Sequence, residues 1–190
     1  MNHRHFKMFK PDGYLTQFVY TGIKKNKKLL GELHDFPEGT MAIGRLDQDS
    51  EGLLLLTTDG KLSEKIRSKK VEKEYYVLVD GLVTVDAIIK LQKGVEISIE
   101  GEKYRTLPCR VFKLKEIPTF PDRKKRIRDD RHGPSTWISV TVTEGKFRQV
   151  RKMTAAVGLP TLRLVRVRIG KLQLEGMERG EVVEEVELKY

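Results

Sequence analysis

Long apolar runs are absent from this 190-residue sequence. The longest ones, such as residues 75–79, are the length of a strand and far shorter than the roughly 18 residues that a transmembrane helix needs. Residues 1–5 lead into no apolar segment, which argues against a secretory signal. The single cysteine, Cys109, excludes an internal disulfide framework and a zinc site made of cysteines alone. These absences predict a cytosolic, cytoplasmic protein.

The motifs of several common enzyme classes are also missing. The sequence contains no GxxxxGK[ST], GxGxxG, GxSxG or HExxH pattern. Its four histidines, at positions 3, 5, 34 and 132, lack the spacing of metal ligands among themselves or with Cys109. We therefore expect no metal and no nucleotide or nicotinamide cofactor.

Positive charge is abundant and localised. Lys and Arg total 37 against 27 Asp and Glu, which gives a net charge of +10. Residues 104–168 contain 17 basic and 5 acidic side chains, a net charge of +12, so the remainder of the chain is close to neutral. A localised excess of this kind favours a polyanionic partner, most often nucleic acid, over a merely solvated surface.

The order of predicted elements indicates an α+β fold with a largely antiparallel sheet, because helices and strands alternate without regular βαβ repetition. Strands are predicted at residues 40–43, 53–58, 74–79, 105–115, 137–142, 161–169 and 182–188. Helices are predicted at residues 61–68, 84–93 and 146–157, the second with Thr84 as its N-cap and Gly94 after its C-terminus. Residues 117–134, with three prolines and a dense basic cluster, are predicted to form an exposed loop.

The loop at residues 44–52 joins two predicted strands and is rich in charge. It has glycine at both ends and carries Arg45, Asp47, Asp49 and Glu51. A solvated hairpin loop has this composition too. Asp47 could equally act as a nucleophile or a general base, and one aspartate does not distinguish the two roles.

The helix predicted to begin at Lys146 has two faces. Helical spacing groups Phe147, Val150, Met153 and Val157 on a core face, whereas Arg148 and Lys152 point away, as phosphate-binding residues would. Arg151 lies at the border between the two faces. A partly buried arginine there needs a carboxylate partner, unless it simply extends its charged end to solvent.

Two further segments suit an RNA partner. Tyr75 and Tyr76 are adjacent in a predicted strand and must face opposite sides, so one is free to stack on a base or line a cleft while the other is buried. A basic cluster is suited to binding RNA phosphates without sequence specificity, and it consists of Arg123, Lys124, Lys125 and Arg126. A core tyrosine and a solvated charge run are the alternatives.

Three motifs in order resemble those of RNA pseudouridine synthases of the small-subunit synthase A family, which includes the large-subunit synthases B, E and F. Residues 44–60 are similar to the signature GRLDxxSxGLLLLTxDG, residues 73–75 to K-x-Y, and residues 144–153 to EGRNRQVRRM. Residues 9–15 resemble the family's N-terminal K-P-x-G stretch. The resemblance extends over roughly residues 9–174 and implies a pseudouridine synthase fold with a mixed sheet and a central catalytic cleft.

The resemblance implies isomerisation of uridine to pseudouridine in ribosomal RNA without a cofactor, and it assigns roles. Asp47 would be the nucleophile, Tyr75 would stack on the flipped uracil and assist proton transfer, and Arg151 would pair with Asp47. Arg45 would hold the flipped-out strand or fill the vacated space, and Val150 and Leu164 would form the apolar pocket wall. RNA contacts would come from a set of basic residues: Arg45, Lys73, Arg123, Lys124, Lys125, Arg126, Arg148 and Lys152.

Two departures from the family pattern bear on RNA binding. The catalytic motif begins at Gly44, so we expect residues 1–190 to form a single catalytic domain without an N-terminal RNA-binding domain of the S4 type, as in the large-subunit synthase E branch. Lys146-Phe147 replaces the usual Arg-Asn and could alter how the RNA backbone is held. We expect a monomer that acts on large-subunit rRNA. A non-catalytic RNA-binding protein and a synthase for transfer RNA or small-subunit rRNA are the rival interpretations.

Overall fold

A nine-stranded sheet forms the frame of the protein in a computed structural model that describes residues 3–22, 27–68 and 71–190. The strands are β1 (His5–Lys10), β2 (Tyr14–Leu15), β3 (Lys28–Leu29), β4 (Met41–Ala42), β5 (Glu51–Thr57), β6 (Lys73–Asp80), β7 (Glu96–Ile99), β8 (Glu102–Arg105), β9 (Arg110–Lys113), β10 (Ser135–Val142), β11 (Thr161–Ile169), β12 (Leu172–Gln173) and β13 (Val182–Glu185). The helices are α1 (Gly60–Arg67), α2 (Val85–Gln92) and α3 (Gln149–Ala156), with 3-10 turns at Leu30–Glu32 and Asp130–His132.

The strand order confirms the α+β class and the largely antiparallel sheet. The main path is β13-β1-β5-β11-β6-β10-β9, with β4 added to β5 and β12 added to β11. Strands β5 and β11 pair in parallel, while the other neighbours on this path are antiparallel. Two small sheets, β2-β3 and β7-β8, lie outside the main one.

Strand β5 lies between β1 and β11 and is buried along its whole length. A strand covered on both faces has a continuous apolar run rather than an alternating one, which explains the four leucines at 53–56. Gly52 has φ of +107°, and a Cβ atom there would lie 2.3 Å from the Arg166 carbonyl oxygen. Only glycine allows β5 to begin this close to β11.

Helices α2 and α3 pack on one face of the β6-β10-β11 part of the sheet. Val77, Ile138, Val150, Met153 and Leu164 share the core beneath them. The N-terminal end of α3 and the N-terminal end of β5 consequently meet at one side of the sheet. No helix among the described residues is long and apolar enough to cross a membrane.

Several predicted elements are confirmed. Thr84 caps α2 by accepting a hydrogen bond from the Ala87 amide at 3.2 Å, and Gly94 follows this helix with φ of +82°. Strand β11 has the predicted bounds of residues 161–169. Asp59 caps α1, which begins one residue earlier than expected.

Other predictions are wrong in position. Residues 105–115 form the end of β8 and the separate strand β9 instead of one strand, because Thr106 turns inward and exchanges hydrogen bonds with Val95. The third helix begins at Gln149 rather than at Lys146, since Arg148 adopts a left-handed backbone with φ of +51°. As a result Phe147 is 65% exposed and lies outside the core.

The two ends of the chain pair along one edge of the sheet. Strand β1, which the sequence pattern did not indicate, is buried on both faces over its C-terminal half and pairs with β5 and β13. Strand β13 ends at Glu185, three residues before its predicted end.

Candidate active site

The loop between β4 and β5 presents Asp47 at the bottom of a cleft. The ammonium of Lys10, which is fully buried, donates hydrogen bonds to the carbonyls of Asp47 at 3.1 Å and Ser50 at 2.8 Å. The Thr16 hydroxyl donates to the Leu46 carbonyl at 2.6 Å and accepts from the Leu46 amide at 3.1 Å. These bonds hold the backbone on both sides of Asp47.

Burial makes Lys10 an unusual lysine. It lowers the pKa of Lys10 to about 7, although the negative charges of Asp12, Glu51 and Asp49 act in the opposite direction. An ammonium with three carbonyl acceptors has each of its protons satisfied, and the third acceptor is Pro11 at 3.0 Å. The geometry therefore makes Lys10 a clamp for the Asp47 loop.

Two arginines approach the Asp47 carboxylate. Its Oδ2 lies 3.6 Å from Arg148 Nη1 and 3.8 Å from Arg151 Nε. Arg151 is anchored on α3, and its Nη2 also donates to the Asp49 carbonyl and the Ser50 hydroxyl, both at 3.1 Å. Arg151 and Asp47, which were predicted to pair, thus form an ion pair at 3.8 Å without a direct hydrogen bond. The hydrogen bonds of Arg151 are to Asp49 and Ser50 in the same loop.

Asp49 binds Arg148 more tightly than Asp47 does. Arg148 donates two hydrogen bonds to the Asp49 carboxylate, at 3.0 and 3.1 Å. Burial acts to raise the pKa of Asp49, but the bonds from Arg148 and the charge of Arg151 outweigh it and hold that pKa below its ordinary value. The same bonds raise the pKa of Arg148. Both side chains are therefore ionised at neutral pH.

Arg151 combines burial with an unused donor. Its side chain is 12% exposed, and burial lowers its pKa despite the nearby carboxylates Asp49 and Asp47. Among the described residues, its Nε has no hydrogen-bond partner. That N–H, 3.8 Å from Asp47 Oδ2, is placed to donate to the carboxylate or to a group bound beside it.

Tyr75 faces this site from β6, while Tyr76 lies on the opposite face and packs against Phe120 with ring centroids 6.3 Å apart. The prediction of opposite faces is confirmed. A recess of about 80 Å³ brings Tyr75 together with Asp47, Arg151, Val150 and Leu164. The structure therefore assembles the three predicted catalytic residues and both predicted wall residues around one recess.

The recess opens into a larger cleft of about 610 Å³. Its lining is strongly basic and includes the side chains of Arg45, Arg67, Lys73, Lys146, Arg148 and Arg166. Arg45 is exposed, whereas Lys73 donates to the Thr143 carbonyl at 3.2 Å and has a pKa lowered by burial. Arg166 donates to the Leu53 carbonyl of β5 at 2.7 Å and to the Arg45 carbonyl of the Asp47 loop at 3.4 Å.

The structure corrects two of the predicted phosphate contacts. Arg148 does not point away from the protein, because its left-handed backbone turns the side chain toward Asp49. Arg123 is 7% exposed and lies 3.6 Å from both Asp12 and Glu51. The segment around it is drawn inward by two hydrogen bonds, from Arg163 to the Pro121 carbonyl and from the Lys125 amide to Asp12.

The remaining predicted contacts are accessible. Lys124, Lys125 and Arg126 are exposed in the same segment. Lys152 donates to the Ser98 carbonyl at 2.7 Å on the outer side of α3. Thr154 bonds back to the Arg151 carbonyl at 3.1 Å, as its position in the helix predicts.

Sequence reasoning assigned no role to Lys10, Thr16 or Ser50, and it treated Asp49 only as one more charge in the loop. Lys10 is the last residue of β1, a strand that the pattern did not reveal, and the resemblance at residues 9–15 gave it no role. Thr16 lies in a segment without periodicity and had no local signal. Within the described residues, no three His, Cys, Asp or Glu side chains are grouped as metal ligands.

Comparison with known proteins identifies the family. A family model described as RNA pseudouridylate synthase matches residues 5–156. Ribosomal large subunit pseudouridine synthase E of Xanthomonas campestris pv. campestris is 42% identical over 174 residues, which cover 90% of this chain and 90% of that protein. A protein of the same name from Vibrio parahaemolyticus is 44% identical over 142 residues, 74% of this chain and 58% of its own.

A solved structure described as a crystal structure of pseudouridylate synthase has the same fold. It superposes with a TM-score of 0.75 at 29% sequence identity and covers 96% of this chain and 70% of its own. The chain therefore belongs to the RNA pseudouridylate synthase family, in the branch represented by the large-subunit synthases E, and is an isomerase that acts on RNA.

Proposed function

We propose that this protein converts a specific uridine to pseudouridine in ribosomal RNA of the large subunit, with Asp47 as the nucleophile. The observation that carries the proposal is the position of the Asp47 carboxylate between Arg148 and Arg151, beside Tyr75, in a recess at the bottom of a basic cleft. The names of the relatives from Xanthomonas and Vibrio support the choice of large-subunit rRNA.

The reaction requires one bond to be exchanged for another without oxidation or reduction. The bond between the ribose C1′ and uracil N1 breaks, the ring turns, and a bond forms between C1′ and uracil C5. The hydrogen on C5 leaves as a proton, and N1 gains one. The Asp47 carboxylate serves as the nucleophile at C1′ or at the uracil ring, and either route needs it ionised.

The neighbouring residues support this role. Two guanidinium groups, of Arg148 at 3.6 Å and Arg151 at 3.8 Å, hold the Asp47 carboxylate in place by ion pairing. Tyr75 offers its ring face to the detached uracil and its hydroxyl to proton transfer. Val150 and Leu164 form the apolar wall against which the ring turns.

The dimensions of the site support base flipping. Asp47 and Tyr75 meet at a recess of about 80 Å³, so a base that remains stacked in a helix cannot reach the carboxylate. The uridine has to leave its stack and enter the recess, as in other enzymes that modify bases. Exposed Arg45 at the cleft is placed to hold the displaced strand or fill the vacated space.

RNA affinity comes, in this proposal, from the catalytic domain of residues 1–190 itself. Arg45 and Lys73 line the cleft, and the other proposed phosphate contacts are Lys124, Lys125, Arg126 and Lys152. Arg148 also lines the cleft, but its guanidinium is bound to Asp49. Arg123 is not among them, because its buried guanidinium already faces Asp12 and Glu51.

Tritium release from RNA labelled at uridine C5 tests the reaction directly, since pseudouridine formation expels that hydrogen. Wild type and Asp47→Asn are compared on transcripts of large- and small-subunit rRNA. We expect release by wild type on the large-subunit transcript and no release by Asp47→Asn, whose RNA affinity stays close to that of wild type. Release by both proteins would remove Asp47 from the mechanism.

The same experiment separates the rival functions. Release confined to the small-subunit transcript would move the substrate to the other ribosomal subunit. Tight binding without release on either transcript or on a partly assembled large-subunit particle would identify a non-catalytic RNA-binding protein.

A further inference from the structure

One large aromatic side chain at the cleft, Phe147, lies outside the hydrophobic core. Phe147 is 65% exposed, although it stands between the core residues Val142 and Val150 in sequence. It is exposed because Arg148, with φ of +51°, reverses the backbone immediately after it and starts α3 only at Gln149. A large exposed aromatic is informative when its surroundings match a ligand, since a folding protein gains by burying it.

The surroundings of Phe147 are cationic. Lys146 and Arg148 flank it and line the same cleft. The ammonium of Lys152 lies 5.2 Å from the centroid of the Phe147 ring. An aromatic face surrounded by positive charge matches single-stranded nucleic acid, in which a base supplies a flat π-surface and the adjoining phosphate supplies the negative charge.

The position of Phe147 indicates which nucleotide it meets. Phe147 lines the larger cleft of about 610 Å³ together with Asp47 and Tyr75. It is not part of the lining of the deeper recess of about 80 Å³, which Asp47, Tyr75, Val150 and Leu164 share. A base on Phe147 is therefore outside the recess while another base occupies it.

We propose that Phe147 is a base-stacking platform for an unpaired nucleotide next to the target uridine. This inference rests on the proposed function, in which the recess receives the flipped uridine. The base stacks on the free part of the ring, while Lys152 and Lys146 meet the phosphates on either side of it. Phe147 thereby contributes to the choice and hold of the RNA and takes no part in the bond exchange.

Binding of two probes of equal charge isolates the stacking contribution. The probes are a labelled oligouridylate of about eight nucleotides and a sugar-phosphate chain of the same length without bases, each titrated against wild type and variants. We expect Phe147→Ala to lose about tenfold in affinity for the oligouridylate and nothing for the chain without bases. Phe147→Trp should retain the affinity of wild type for both.

Phe112→Ala is the matched control, because Phe112 is also an exposed phenylalanine, at 50%, but lies on the edge strand β9 away from the cleft. It should bind both probes like wild type. Equal affinity of Phe147→Ala and wild type for the oligouridylate would overturn the proposal, and so would an equal loss on both probes.

Tritium release then separates this inference from the proposed function. If wild type releases tritium, the Phe147→Ala variant should have a KM about tenfold higher than wild type and a kcat within about twofold of it. A fall in kcat at unchanged KM would place Phe147 on the target uridine and overturn its assignment to a neighbouring nucleotide. A base-dependent loss of binding in a protein without turnover would uphold the stacking platform and reject the enzymatic function.

Discussion

Three cations, Lys10, Arg148 and Arg151, surround one loop that carries the carboxylates Asp47 and Asp49. Lys10 holds the backbone of the loop, and Arg148 binds Asp49 through two hydrogen bonds. Arg151 donates to the Asp49 carbonyl and lies beside the Asp47 carboxylate. Lys10 is fully buried and Arg151 nearly so, and buried charges are costly to desolvate and add little net stability. Their arrangement is therefore better explained by orientation of the Asp47 carboxylate, as the proposed function requires, than by stability.

The stability of the protein should depend on the titration of Lys10. Its pKa is about 7 in the folded protein and 10.5 in an exposed lysine, so the unfolded chain binds more protons between these pH values. The free energy of unfolding of wild type, relative to Lys10→Met, should therefore rise as the pH increases from about 7 toward 10.5. Urea denaturation of both proteins across this range measures the difference.

Lys7→Met provides the control for removing a lysine from β1, because Lys7 lies on the same strand and pairs with Glu185 at 2.9 Å near the surface. Parallel stability curves for wild type and Lys10→Met would show that Lys10 keeps an ordinary pKa. The clamp on the Asp47 loop would then be tested separately, by the activity of Lys10→Met at one pH.

Strand β5 shows how a single element positions the site. It is buried throughout and begins four residues after Asp47, at the only parallel pairing on the main strand path described above. The pairing of Gly52 with Arg166 determines how closely the start of β5 approaches β11, and Arg166 also donates to the Arg45 carbonyl of the loop at 3.4 Å. An element that forms mainly to fill the core thus determines the position of the Asp47 carboxylate.

Replacement of Gly52 by alanine should be strongly destabilising. The new Cβ would lie 2.3 Å from the Arg166 carbonyl oxygen at φ of +107°, so the β5-β11 pair has to separate. We expect Gly52→Ala to lose about 3 kcal/mol or more of the free energy of unfolding. Urea denaturation measures this loss, and tritium release measures the displacement of Asp47.

Gly39→Ala is the matched control, since Gly39 also has a positive φ of +79° but no described atom lies within 4 Å of the place that a Cβ atom would take there. The Gly39→Ala variant should therefore lose only the cost of placing an alanine at positive φ, about 1 kcal/mol of the free energy of unfolding. Equal losses for the two variants would show that the close approach of β5 to β11 contributes nothing.

The surface of the molecule carries less unpaired positive charge than the number of basic residues in the sequence suggests. Much of the charge in residues 104–168 is neutralised within the fold, as in the buried pair of Arg163 with Glu51 at 2.9 Å and the pair of Arg168 with Glu74 at 2.8 Å. The cations that remain available are concentrated at the cleft and in the segment Lys124, Lys125 and Arg126. Their location, more than the net charge, determines where RNA can bind.

Triple replacement of Lys124, Lys125 and Arg126 by alanine should therefore weaken RNA binding and leave chemistry intact. We expect KM to rise and kcat to remain within about twofold, because none of the three lines the recess. If each contacts one phosphate of a single strand, the slope of log K against log salt should fall by about 2. Filter binding at several salt concentrations and tritium release measure the two effects.

A triple variant of Lys90, Lys93 and Lys113 makes the same change in net charge on exposed positions away from the cleft. It should keep both the salt slope and KM of wild type. Equal losses in the two triple variants would indicate that RNA responds to the total charge rather than to the segment at residues 124–126.

Local sequence patterns were enough to predict the class of fold, the family and the residues that line the site. The four leucines of β5, the capping residues Thr84 and Asp59 and the alternation of β11 are local patterns, and local patterns act within a few residues. The motifs around Asp47, Tyr75 and Arg151 are local in the same sense. They carry the family resemblance but do not give the distances between these three residues in the folded protein.

How those residues meet depends on contacts that form only in the folded protein. Asp47 and Arg151 come together because β5, β11 and β6 pair side by side and α3 packs on the same sheet, which are contacts between distant parts of the chain. The left-handed turn at Arg148 directs Arg148 inward and leaves Phe147 outside, and burial removes Arg123 from the surface. No periodicity predicts such outcomes, because charge pairing and burial depend on neighbours that only the folded chain supplies.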